Sequence, residues 1–84
     1  VTLSIEGNEI HVGPVTFVKI KAEVENLEGA AQFTITYDVA NEIRTTDKIA
    51  IGEATNYIVK NEAYIVSVYD ANGNLLQTFE GVEL

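Results

Sequence analysis

Apolar and polar residues alternate almost one by one through most of this chain. Between residues 17 and 25, Val18, Ile20, Ala22 and Val24 fall on one side, while Phe17, Lys19, Lys21 and Glu23 fall on the other. Phe33, Ile35, Tyr37 and Val39 repeat the period, as do Tyr64, Val66 and Val68 against Ile65, Ser67 and Tyr69. A period of two is that of half-buried strands, because successive side chains of an extended backbone leave opposite faces. The same pattern puts Val1, Leu3 and Ile5 on one face, with Gly7-Asn8 able to turn the chain before Ile10 and Val12, so this stretch is a first strand or a broken pair. Gly13-Pro14 reads as a break in pairing, since proline donates no backbone hydrogen bond. Asn26 to Gly29 supplies the next turn, with Gly29 able to take positive φ. Residues 40–42 make a tight connection into a short polar edge strand over residues 43–46, followed by strands over 48–51 and 55–59 divided by Gly52-Glu53. Asp70-Ala-Asn-Gly-Asn74 turns a final hairpin into residues 75–79. No stretch of ten residues has a helical period, and there is no repeat, low-complexity tract or internal linker. The expectation is one all-β domain over residues 1–84, an antiparallel sandwich of about seven strands.

Size and composition narrow what such a domain can do. A chain of 84 residues buries only about 60–65% of the surface its unfolded form exposes, so stability has to come from one compact core. There is no cysteine, which removes disulfides, thiolate nucleophiles and cysteine-built zinc sites. Thirteen acidic against five basic residues give a formal charge of −8, which repels a phosphate backbone and an anionic membrane surface. Neither nucleic acid nor membrane insertion is expected, and no apolar run approaches the roughly 18 residues that span a bilayer. The first residues look like a strand and not a signal peptide, and the missing initiator methionine reads as a processed product or an excised domain.

Catalytic chemistry finds little to work with. His11 is the only histidine, and its apolar neighbours Ile10 and Val12 suggest an outward strand position. Ser4 and Ser67 alternate with apolar residues and lie in no nucleophile turn. Lys60 and Arg44 follow no glycine-rich phosphate loop. The chain is therefore read as no enzyme, and no cofactor is expected apart from a candidate calcium ion. Asp70, Asn72 and Asn74 are its candidate ligands, because their spacing resembles the opening of a calcium loop; the later glutamate of an EF-hand is missing, and a hairpin turn wants the same residue types. Glu23, Glu25 and Glu28, and separately Glu80 and Glu83, read as solvated acidic faces. Tyr37 and Tyr64 belong to core faces, leaving Phe17, Tyr57, Tyr69 and Phe79 as candidate exposed rings. Phe17 is the ring chosen for contact with a neighbouring subunit.

Residues 21–39 followed by Lys48-Ile-Ala-Ile-Gly-Glu53 resemble the cell-adhesion-related β-sandwich domains of bacterial and archaeal surface proteins. The shared features are a valine-x-asparagine strand end, a glycine turn, an aromatic-rich next strand and a later glycine-acid pair. The resemblance covers about half the chain. After Gly52-Glu53 the stretch before Tyr64 is shorter than in those domains. The ending, residues 64–76, is similar to the final hairpin of fibronectin type III modules. The resemblance implies an immunoglobulin-like (fibronectin type III-like) sandwich, extracellular or at a cell surface, serving as a non-catalytic structural or adhesion module. Its partners would be other protein domains or copies of itself. One version is filament growth by strand donation through residues 1–5, with Val1, Leu3 and Ile5, together with Phe17, at the interface. The alternative is a small-ligand module, for calcium or carbohydrate, using the loops around Asp38, Asp47 and Asp70.

Overall fold

The computed structural model describes every residue, Val1–Leu84, and contains no helix. Its strand segments are β1 (Thr2–Val12), β2 (Val15–Glu25), β3 (Gln32–Val39), β4 (Glu42–Thr45), β5 (Ile49–Ala50), β6 (Ile58–Val59), β7 (Tyr64–Tyr69) and β8 (Leu75–Val82). They form two antiparallel sheets, one ordered β1-β2-β6 and the other β4-β3-β7-β8, with β5 on the same edge of β3 as β4. Each inward face carries the alternate apolar residues expected of it. Val18, Ile20 and Ala22 of β2 and Ile58 of β6 meet Phe33 and Ile35 of β3 and Tyr64, Val66 and Val68 of β7 in a single buried core. Complete burial of side chains of this size contributes about 1.5–3 kcal/mol each, which makes this cluster the main source of stability.

Three local features take definite form. Of a first strand or a broken pair, the structure has the first: Gly7-Asn8 does not turn the chain, and β1 pairs with β2 residue for residue from Thr2 opposite Glu25 to Val12 opposite Val15. Gly7 lies across from Ile20, and a Cβ there would stand 2.7 Å from Val18 Cγ2 and 2.9 Å from Leu84 Cδ2. The glycine answers a close approach, not a bend. Gly13-Pro14 does not end pairing either. It is the two-residue loop of this long hairpin, where Gly13 takes φ 60° and the missing proline donor costs nothing. Because β1 is unbroken, its alternation never shifts. Ile10 and Val12 therefore face outward, and His11 shares the side of Gly7 and Glu9, the reverse of the expected assignment.

The third feature lies between residues 46 and 60, where two regular strands shrink to β5 and β6. This segment crosses from one sheet to the other. Ile51 N still donates to Ala31 O beside β3, but Gly52 N donates to Ala22 O, Thr55 N to Ile20 O and Lys60 N to Thr16 O along β2. Threonine hydroxyls complete the ladder where the regular pairing lapses. Thr46 Oγ1 accepts from Ile35 N at 3.0 Å, and Thr55 Oγ1 accepts from Ile20 N at 3.1 Å while donating to Asn56 O at 2.8 Å. The turn between β3 and β4 has positive φ at both Ala40 (49°) and Asn41 (67°), the geometry of a tight right-twisting hairpin.

Candidate functional site

The proposed calcium loop is a turn that uses its own carboxylate. Asp70 Oδ1 accepts from Asn72 N and Asn74 N, both at 2.9 Å, and Oδ2 accepts from Asn74 Nδ2 at 3.1 Å. Asp70 N donates to Asn74 O and Gly73 N to Asp70 O, closing the hairpin between β7 and β8. The Asn74 backbone donor, joined by its side-chain amide, holds the Asp70 carboxyl below its ordinary range. Lys48 brings its Nζ over the Tyr69 ring, 4.8 Å from the centroid, and close to Gly73. A cation at Asp70 would have to displace the turn's own donors beside an ammonium group. No group of three or more His, Asp or Glu side chains is arranged to hold a metal.

The candidate interface residues fall into two places. Val1 is exposed, whereas Leu3 and Ile5 are half-buried, lie across from Val24 and Ala22, and pack against the core. Phe17 is half-buried on the outer face of its sheet, between Ile10 on β1 and Val59 on β6. Ile10 and the facing pair Val12 and Val15 are exposed, so the outer face near the hairpin tip is more apolar than the run around Phe17 suggests. Of the other rings, Tyr57 is exposed with Lys19 Nζ 4.9 Å from its centroid. Phe79 instead packs inward against the core, because it pairs directly opposite the inward Val66.

Several other polar groups serve the frame. His11 Nδ1 and Thr16 Oγ1 are 3.0 Å apart across the hairpin. Lys60 Nζ meets Glu9 Oε2 at 2.8 Å, and that hydrogen bond and charge raise the lysine pKa. Tyr64, almost wholly buried, accepts from Asn61 N through its hydroxyl at 2.8 Å, and burial raises its pKa. Asn61 in turn accepts from Asp38 N and donates to Asp38 O, tying the approach to β7 onto β3. This network escaped the sequence reading because Asn61 and Asp38 are 23 positions apart and neither carries a motif.

Three surface cavities accompany these features. One, of about 190 Å³, lies around Tyr64, Asn61 and Ile43; a second, of about 440 Å³, lies between Pro14 and Glu62. The third, of about 280 Å³, opens between the two sheets where β4 and β5 part from β6, and is lined by Tyr37, Asp47, Asn56 and Tyr57 among others. Comparison with family models, curated proteins and solved structures gives no match in any of the three.

Proposed function

We propose that this domain is a non-catalytic structural or adhesion module that acts at a cell surface by joining other protein domains or further copies of itself along β1. The observation that carries the reading is the position of β1 at the end of its sheet. Its eleven residues pair with β2 on one side and with no strand on the other. A free edge of that length presents alternate backbone donors and acceptors to any added strand. The apolar outer patch of Ile10, Val12, Val15 and Phe17 lies beside it, offering side-chain contact to whatever the edge recruits. Donation of residues 1–5 is the costlier version, since Leu3 and Ile5 would first have to leave the core they pack against. Edge addition needs no such release.

The immunoglobulin-like, fibronectin type III-like arrangement belongs to the same proposal. In immunoglobulin lettering, β1, β2 and β6 take the places of A, B and E, while β3, β7 and β8 take those of C, F and G, with β4 beside C. Tyr64 at the start of the F-like strand, bonded back to Asn61 N three residues earlier, has the form of a tyrosine corner. The cell-surface setting rests on the resemblance of residues 21–39 and 48–53 to adhesion-related sandwich domains.

The test is molar mass by light scattering from about 10 μM to about 1 mM, at low and at physiological salt, with hydrogen exchange of β1 in parallel. Mass should rise with concentration, and more so in salt, because a charge of −8 opposes self-contact until it is screened. The unpaired β1 amides should gain protection in step. A monomer throughout would eliminate self-association; failure of β1 to gain protection with surface-protein domains as well would eliminate the edge reading.

A further inference from the structure

We propose that the cavity between β4, β5 and β6 binds a neutral polyhydroxylated ring, a monosaccharide unit of a larger glycan, independently of any association along β1. Of the three cavities it has the most uncommitted polar side chains, and its walls are mostly polar where those of the other two are mostly apolar. Around Tyr64 the tyrosine hydroxyl accepts from Asn61 N and the Asn61 amide bonds to the backbone of Asp38 and Val59, which leaves the Asp38 carboxylate and the phenol of Tyr37, a residue that lines both cavities. Beside Pro14, Lys60 is engaged with Glu9 and Thr16 with His11, which leaves only the Glu62 carboxylate. In the third cavity the threonine hydroxyls are committed to the frame: Thr45 to Thr36, Thr46 to Ile35 N, and Thr55 to Ile20 N and Asn56 O. The Asp47 carboxylate, the Asn56 amide and the phenol hydroxyls of Tyr37 and Tyr57 have no such engagement.

Those four groups define the chemistry of an occupant. A carboxylate accepts hydrogen bonds, an amide both donates and accepts, and a phenol does either, which matches a ligand carrying adjacent hydroxyls. Tyrosine rings supply an apolar surface for the C–H face of such a ring at small conformational cost. Lys19 Nζ lies over the Tyr57 ring, 4.9 Å from its centroid, so stacking on that ring would use its opposite face. Anionic ligands are opposed by Asp47 and by the overall charge of −8. A bare metal ion would find one carboxylate, with no second acidic or histidine ligand in the lining. A volume of about 280 Å³ lies just below the range of about 300–1,000 Å³ typical of drug-sized ligands, which suits one ring and not a chain of them.

The experiment is titration of ¹⁵N-labelled protein with methyl α-mannoside, methyl α-glucoside, methyl β-galactoside and N-acetylglucosamine, each to about 100 mM, following amide shifts. At least one sugar should give saturable shifts confined to residues 45–49 and 55–58, with a dissociation constant in the millimolar range. Asp47→Ala and Tyr57→Ala should each weaken it about tenfold while leaving the rest of the amide spectrum superposable on that of the parent, which separates lost binding from lost fold. Absence of saturable shifts with all four sugars would overturn the proposal, as would shifts scattered over the surface or unchanged affinity in both variants. Tetramethylammonium binding at these residues in place of the sugars would overturn the ligand class, since it would mark the tyrosines as a cation cage.

Discussion

Thr55 shows how one hydroxyl holds two parts of the fold together. It is 2% exposed and accepts from Ile20 N, a buried donor that the interrupted β6 does not reach. Thr55→Val keeps the shape and leaves that donor unpaired, which should cost about 1–3 kcal/mol in urea denaturation; Thr55→Ser, which keeps the hydroxyl, should recover most of the loss. Equal stability of the valine variant and the parent would remove the role assigned here. Asp70 makes the corresponding prediction in pH. Its folded-state pKa is depressed, so its contribution is complete above the ordinary value of 3.8 and is lost as pH falls through the lower folded value. The parent should therefore melt higher than Asp70→Ala at neutral pH, and the gap should narrow once the pH drops below 3.8. A gap independent of pH would mean that the turn gains nothing from the charge. The identity of these residues was visible beforehand, but their duties were not: Asp70 carried a turn signal and a calcium signal at once, and only its bonds to Asn72 and Asn74 show how the carboxylate is spent.

The β1–β2 hairpin carries the consequences at the level of elements. An exposed edge strand invites uncontrolled pairing, and natural sheets answer with charges that point inward from the edge. Glu9 is such a charge on β1, opposite Val18 and bound to Lys60. Glu9→Val should raise self-association, seen as larger mass at lower protein concentration in light scattering, with little loss of fold because the ion pair is substantially exposed. An unchanged concentration dependence would show that the edge is guarded elsewhere. Strand identity was legible here from alternation alone, since Val18, Ile20 and Ala22 all face the core as their spacing requires. The continuity of β1 was not. Gly-Asn and Gly-Pro pairs are turn formers by local conformation, and the first is overruled by packing at Val18 and Leu84, residues 11 and 77 positions from Gly7.

Across the whole molecule, two sheets enclose one core in an elongated body of 41 × 22 × 20 Å. The long hairpin lies at one edge and the crossover of residues 46–60 at another, so the surfaces proposed for partners and for a small ligand are different parts of the frame. Sequence alone determined the all-β class, the inward residues of β2, β3 and β7, the last hairpin and the poverty of catalytic groups, because alternation and turn chemistry act between residues near one another in the chain. Tertiary structure decided that β1 runs unbroken, that the segment after β5 changes sheets with Thr46 and Thr55 completing the ladder, and that Tyr37, Asp47, Asn56 and Tyr57 line one cavity. Those outcomes depend on groups far apart along the chain arriving at the same place, and a local pattern carries no record of such meetings.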